Sequence, residues 1–588
     1  MRTVVAAARA ELTRGEKARV ASVGAVALLM VGLEMLSLGS FIPVVGLLTQ
    51  DAALDGVRDR FAAVSSWSDV QILSAGLVGL VVLFIVKNVV ALIGGWYQRT
   101  VSADLATRLA HEQFQSYLRQ PYSFHTATNS SVLIRNMQNA STVVTSGVDP
   151  IMSIVTEGLV AAGVVVLLLV VDPMVTGAVL AAFGFAGWSF NRTTRRRIVE
   201  LGHRRNAHLG DTLREQQQGL GGIKEILLSG RSETFVERHL VHVRANNRIN
   251  RTYGTIQQLP RLWLEILTVS GLAVLVLLSV ARGREPSEAL PILGLFAVAV
   301  FRVQPSITKV LISLQSIAFA APVVEALRRG ALPVPEPAPP GRPTGFERSV
   351  AFDRVTFAYP GSTEPVLDGA SFEILRHERV GLVGPSGAGK STIVDLLLGL
   401  LDPTDGRILV DGTDLREVRR SWQDLVGYVP QHIFLLDDSV RRNVAFGEPD
   451  AGIVDADVRE ALRRAQLDTF VDSLPGGLDT KVGERGVRFS GGQQQRLGIA
   501  RALYHQPPVL VLDEATSALD AATERGVAAA IEEVGRSRTV VIVAHRVSTL
   551  ASCDRILEVG SGRVSDLGPP TAALLASLAR GGDVEDRG

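Results

Sequence analysis

The chain has 588 residues, 47% of them hydrophobic and 5% aromatic, with 60 Lys and Arg set against 59 Asp and Glu. That length allows three to five folding units at roughly 100–200 residues each, which excludes a disulfide-held mini-protein, and the net charge of +1 leaves no overall basic surface for nucleic acid. The single cysteine, Cys553, can close no internal disulfide and build no cysteine-ligated iron–sulfur site, while a mean hydropathy of +0.24 is high for a soluble protein and points to a lipid bilayer.

Apolar runs long enough to span a bilayer, about 20 residues, occur near Val20–Leu48, Val70–Gln98, Pro150–Val171, Pro173–Phe190, Leu262–Ala281 and Leu290–Leu311. They predict an all-α six-helix transmembrane domain over residues 1–330. The first run is too long for a signal peptide and is expected to stay in the mature chain. Arg2, Arg9, Arg14, Lys17 and Arg19 precede it, and Arg192, Arg195, Arg196, Arg197, Arg204 and Arg205 follow the fourth. Cationic flanks belong on the cytoplasmic side, so a multi-pass protein of the cell membrane with a cytoplasmic N-terminus is expected. The polar, helix-patterned segments Gln98–Val148 and Asn191–Pro260 predict that helices two to five continue well into the cytoplasm.

Residues 331–345 form a linker: ALPVPEPAPPGRP holds six prolines and cannot continue a helix. Residues 346–588 then read as an α/β unit. The strand-like HERVGLVG runs into Gly384-Pro-Ser386-Gly387-Ala-Gly389-Lys390-Ser391-Thr392 and the helical IVDLLLGL, which is the phosphate-binding loop in its required strand, loop and helix setting. Its glycines let backbone N–H groups close on phosphate oxygens at a helix N-terminus. Lys390 supplies a charge for the β- and γ-phosphates and Ser391 a hydroxyl for Mg²⁺. Downstream, Val509-Leu-Val-Leu-Asp513-Glu514 reads as a buried parallel strand ending in two acids. Asp513 is placed to hold the Mg²⁺ shell and Glu514 to polarise the attacking water.

Phe489-Ser490-Gly491-Gly492-Gln493, with Ser490 lying 23 positions before Asp513, resembles the LSGGQ signature of ATP-binding cassette (ABC) proteins, with Phe in place of the leading Leu. Tyr359 stands 25 residues before Gly384, Gln431 sits in YVPQHIFL, Asp520 closes Ser-Ala-Leu-Asp, and His545 follows Glu514 by 31. In order and spacing the chain resembles an exporter-type ABC half-transporter over essentially its whole length. The resemblance implies ATP and Mg²⁺ as cofactors and Tyr359 as the adenine-stacking aromatic. It further implies Gln431 in the Mg²⁺ shell, Glu514 as general base, His545 as γ-phosphate sensor and Asp520 as a further site residue. In that family Ser490 and Gly492 cap the ATP of the opposite cassette, so a second copy of the chain is expected as partner.

Ionisable residues inside spans are costly and mark function. Here they are Glu34, Lys87, Glu157, Arg261, Glu265 and Arg302. At 1.5 Å per residue Lys87 lies about 25 Å and Arg302 about 18 Å from the outer helix ends, and Arg261 opens helix five on the inner side. The three cations suit an anionic head group; the alternative is snorkelling or pairing with the glutamates. Phe84-Ile-Val-Lys87-Asn88, Ile134-Arg135-Asn136-Met137 and Gly222-Ile-Lys224-Glu225-Ile226 resemble PglK-like flippases of lipid-linked oligosaccharides, implying a polyprenyl-diphosphate-linked saccharide as an anionic lipid-linked substrate. Export of peptides, lipids or drugs, import through the same fold, and nucleotide gating without pumping are the alternatives.

Overall fold

The computed structural model describes residues 13–49, 66–171, 173–281, 286–330, 345–362, 364–514, 535, 537–544 and 547–582. They fall into two compact units, Met1–Gln120 with Ala127–Val334, and Pro121–Thr126 with Pro335–Gly588.

The helices before the cassette are α1 (Arg14–Thr49), α2 (Asp69–Leu118), α3 (Tyr122–Ala127), α4 (Ser130–Val143), α5 (Asp149–Val171), α6 (Pro173–Gly221), α7 (Ile223–Ser229), α8 (Ser232–Ala281) and α9 (Pro286–Gly330). A capping box starts α2, in which Ser68 and Gln71 each bond the other's backbone N–H. Between α4 and α5 the chain widens into a π-turn at Val144–Val148. Pro150 explains it, because proline has no N–H to donate and its ring crowds the carbonyl four residues earlier.

Four described segments are long and apolar enough to cross a membrane: Arg14–Ser37, Asp69–Leu118, Ser130–Val166 and Val303–Leu327. The other expected spans fall in α6, α8 and the first part of α9, where many side chains lie outside the described residues. α2, α6 and α8 run on into their polar segments, as expected. α9 does so too, ending at Gly330 rather than near Leu311. Its continuation buries Ile317, Phe319, Val323 and Val324 against neighbouring helices, and packing of that kind holds a helix where hydropathy no longer marks one. At one crossing a Cβ on Gly202 of α6 would stand 2.3 Å from the Phe319 carbonyl oxygen of α9, so only glycine allows the two backbones this close. Tyr253 of α8 stacks on Phe319 at a centroid distance of 3.9 Å.

Two of the buried ionic groups of this unit are paired. Lys87 Nζ on α2 lies 3.4 Å from Glu34 Oε2 on α1, with 10% and 7% of the two side chains exposed, and 4.5 Å from the Phe84 ring centroid. Glu157 on α5 accepts a 2.8 Å hydrogen bond from Ser306 Oγ and pairs with Lys309, both on α9.

Among the described residues the second unit contains two sheets. β1 (Ser349–Phe357), β2 (Leu367–Leu375), β4 (Asp405–Val410) and β5 (Thr413–Asp414) form an antiparallel sheet in the order β2-β1-β4-β5. The other sheet has the order β10-β9-β3-β8-β7-β6, from β3 (Arg379–Val383), β6 (Val426–Val429), β7 (Val509–Asp513), β8 (Thr539–Val543), β9 (Arg555–Gly560) and β10 (Arg563–Gly568). Its strands are parallel except β10. Every residue of β7 and β8 is buried, the composition that a parallel sheet covered on both faces demands.

Because a charge left alone in a buried pair costs about 3–5 kcal/mol, Lys87→Met should lower the thermal unfolding temperature of the purified protein by several degrees. Adding Glu34→Met should recover most of the loss. A single variant as stable as the wild type would show that the pair is solvated.

Candidate functional site: the carboxyl edge of the parallel sheet

Three parallel strands bring the chemistry together. Leu382 of β3 and Asp513 of β7 both pair in register with Val543 of β8. With strands about 4.8 Å apart, the loop after β3 and the acids after β7 emerge side by side at the carboxyl edge, where open α/β sheets bind ligands. Val429 of β6 pairs with Leu512, which brings Gln431, two residues beyond β6, to the same edge. His545 follows β8 by two positions but lies outside the described residues, as does Asp520.

The phosphate-binding loop runs from Gly384 to Gly389 and opens α10 (Lys390–Leu397). Gly384, Gly387 and Gly389 have φ of 145°, 80° and 102°, a region that favours glycine. A Cβ on Gly384 would also stand 2.1 Å from the Val559 carbonyl oxygen. Lys390 is buried, and its Nζ donates to the carbonyls of Gly384 and Pro385 at 2.8 and 3.0 Å. Burial pushes its pKa down, opposed by the charges of Glu514 and Asp513. The ammonium is thus folded back on the loop with carbonyl oxygens as partners, and phosphate oxygens are the same kind of acceptor. Ser391 and Ser386 are exposed. Thr392 is buried, and its Oγ1 lies 3.2 Å from the Tyr359 hydroxyl, so the aromatic expected at the adenine is held against the first turn of α10.

Asp513 is buried at the end of β7. Glu514 follows with φ 47°, a conformation costly for a side chain other than glycine and typical of functional sites. Its carboxylate accepts a hydrogen bond from Gln431 Nε2, and its backbone N–H is held by the Val543 carbonyl at 3.0 Å. Ser391, Gln431 and Asp513 offer only oxygen ligands of the kind Mg²⁺ takes, and the buried cation with its glycine cradle suits a polyphosphate. The residues therefore fit Mg²⁺ and ATP.

Some members of this neighbourhood were not anticipated from the sequence. Asp395 on α10 is half-buried, and burial followed by the charge of Asp513 pushes its pKa up to about 6. Burial, with Asp513 and Asp395, also raises that of Tyr428 on β6. Tyr122, in the Pro121–Thr126 segment that clusters with the cassette, is raised by burial, Asp395 and Tyr359. An acid at the middle of the apolar IVDLLL was the available signal for Asp395. Tyr122 had none, being far away along the chain.

Ser490 caps α11 (Gly491–Leu503), accepting from the Gln493 N–H at 3.3 Å while Gln493 Oε1 accepts from the Ser490 N–H at 2.8 Å. Ser490 and Gly491 are exposed at this helix N-terminus and Gly492 is buried, an arrangement that favours an anion. Phe489, where the family motif has Leu, is buried edge-on against Phe470 at 5.4 Å between centroids, so the larger side chain is absorbed by the core. Of the proposed substrate cations, Lys87 is paired with Glu34 and Arg261 is exposed. The Arg302 side chain lies outside the described residues.

Comparison with known proteins agrees with this geometry. Residues 367–517 match the family described as ABC transporter and residues 36–302 the one described as ABC transporter transmembrane region. An ATP-dependent lipid A-core flippase of Saccharophagus degradans is 30% identical over 84% of this chain and 83% of its own. One of Dechloromonas aromatica is 30% identical over 84% of each. A bacterial Atm1-family ABC exporter solved with ATP bound superposes with a TM-score of 0.79 at 26% identity, covering 96% of this chain and 99% of that one. From motif order, sheet-edge geometry and these relatives together, the chain belongs to the ABC transporter family, as an exporter-type protein in which a helical membrane domain is fused to a transport ATPase.

Proposed function

We propose that two copies of the chain hydrolyse ATP at two composite sites and use the turnover to flip or export an amphipathic lipid. The hydrogen bond between Gln431 and Glu514 at the carboxyl edge is the observation that carries the catalytic part, because it ties the proposed base to a proposed metal ligand.

In this reading Tyr359 stacks on the adenine, and the loop amides with Lys390 hold the β- and γ-phosphates. Ser391, Gln431 and Asp513 hold Mg²⁺, which when bound supplies positive charge against that developing on the phosphoryl oxygens. Glu514 accepts a proton from the attacking water and His545 contacts the γ-phosphate. Ser490, Gly491, Gly492 and Gln493 of one chain present their helix N-terminus to the nucleotide of the other, with Asp520 at the same junction. The Gln431 amide bond fixes the position of the Glu514 carboxylate for that step.

The cargo we infer is an amphipathic lipid with an anionic head group, in its narrowest form a polyprenyl-diphosphate saccharide. Two adjoining cavities support this. One, of about 420 Å³, is lined by Leu180, Phe183, Leu311 and Leu314; the other, of about 850 Å³, by Arg192, Arg195 and Arg196; Trp188 and Asn191 line both. An apolar groove thus opens onto a guanidinium cluster at the cytoplasmic end of the α6 span. Lys87, neutralised by Glu34, adds little net charge for a phosphate, so the α6 arginines replace it as head-group partners. The flippase activity in the names of the relatives accords with an amphiphile.

Glu514→Gln should cut steady-state ATPase by at least about a hundredfold, the range for a lost general base, while nucleotide binding persists. Near-normal turnover would remove Glu514 from that role. Replacing Arg192, Arg195 and Arg196 together by Gln should lower transport of an anionic lipid-linked saccharide in proteoliposomes severalfold and flatten its dependence on salt. Transport at the wild-type level with an unchanged salt profile would contradict the anionic-cargo reading.

A further inference from the structure

Away from the nucleotide site, the antiparallel helices α6 and α8 bring two histidines and a carboxylate together. His208 Nδ1 and His242 Nδ1 are 3.1 Å apart, and His242 Nδ1 lies 3.6 Å from Asp211 Oδ2. The donor atoms of all three residues lie within 4.8 Å of one another, and each residue is half-buried. His208 and Asp211, three apart, share a face of α6.

We propose that His208, Asp211 and His242 form a binding site for one divalent transition-metal ion, with Zn²⁺ the best fit. Two donors each about 2.0–2.1 Å from a tetrahedral ion stand about 3.3 Å apart, which the 3.1 Å between the two Nδ1 atoms and the 3.6 Å from His242 Nδ1 to Asp211 Oδ2 approach within a few tenths of an ångström. Imidazole nitrogens with one carboxylate select Zn²⁺, Co²⁺ or Ni²⁺ over Mg²⁺ and Ca²⁺, which take oxygen ligands. Three protein ligands leave a fourth position for water. The carboxylate is already oriented, because Arg214 donates to Asp211 Oδ1 at 2.8 Å and leaves Oδ2 toward His242, the outer contact that metal-ligating carboxylates usually have. Without an ion the arrangement is poorly satisfied. A single proton between the two Nδ1 atoms serves one bond, and the proton that bonds Asp211 must come from the same His242 nitrogen. The seam continues in kind, since His239 Nδ1, one turn before His242, and Glu215 Oε2, one turn after Asp211, are buried with no hydrogen-bond partner.

The position gives the ion a mechanical role. α6 and α8 are the two arms of the hairpin whose tip is α7 (Ile223–Ser229), and Asp211 lies about 15 Å below the end of α6 at 1.5 Å per residue. A metal bridging the arms there would hold them together below the tip and slow their local opening.

The test uses the full-length protein in nanodiscs, with any affinity tag removed and metals stripped by a chelator. Titration with Co²⁺ should saturate at one ion per chain and develop the intense visible absorption of four-coordinate cobalt, and Zn²⁺ should displace it. Hydrogen exchange in the stretches around residues 208 and 242 should slow when Zn²⁺ is bound. His208→Ala and His242→Ala should each weaken binding by at least about tenfold, in the range seen when metal-site groups are lost. Asp211→Asn, which keeps the shape of the side chain, should weaken it without unfolding the hairpin. Equal Co²⁺ stoichiometry and spectrum in a folded His208→Ala/His242→Ala double variant would overturn the site, as would Zn²⁺ binding that leaves exchange in this hairpin unchanged.

Discussion

The cassette depends on one electrostatic constraint: a polyphosphate must be held at the edge of a sheet where acids are also required. The fold answers it by threading β8 between β3 and β7. The loop that supplies N–H groups and Lys390 thereby emerges beside Asp513 and Glu514. Lys390 meanwhile rests on the carbonyls of Gly384 and Pro385, and Glu514 is held in a left-handed conformation by Val543 and Gln431. Lys390 is held by carbonyls of the loop after β3, and Glu514 by the Val543 carbonyl and the Gln431 side chain, which fits a site whose work is positioning and charge neutralisation. Asp395 shows the cost of holding a buried acid there, since burial and then the charge of Asp513 raise its pKa.

The membrane unit solves the opposite problem. In a low-dielectric setting an isolated ion is expensive, and Lys87 is paired with Glu34 and Glu157 with Ser306 and Lys309. The arginines Arg192, Arg195 and Arg196 of α6 cluster beside an apolar cavity lined by α5, α6 and α9, which is the arrangement the proposed amphiphilic cargo rests on.

Much of the cassette was legible in the sequence because its chemistry is written in short, contiguous patterns. Glycine spacing around Lys390, an aliphatic run ending in Asp513-Glu514 and a serine before Gly-Gly-Gln at a helix start each demand one local backbone. Contacts between distant segments were not legible. Gln431 was expected near Mg²⁺, but its bond to Glu514 depends on β6 lying next to β7. Lys87 was assigned to cargo with pairing as the alternative, and only the packing of α1 on α2 selects Glu34. His208 and His242 are separated by a whole hairpin, so no spacing rule joins them. The extension of α9 past Leu311 was missed because hydropathy fades there while Phe319 and Val324 still pack inward.

The central claim is that each hydrolytic site needs two chains, and complementation tests it most directly. Lys390→Ala damages one half of a site and Ser490→Arg the other, so neither variant alone should hydrolyse ATP appreciably. A co-assembled mixture contains dimers in which one site draws both intact halves from different chains, and ATPase should reappear there. A mixture as inactive as its parents, or a Ser490→Arg protein with wild-type activity, would contradict the composite site.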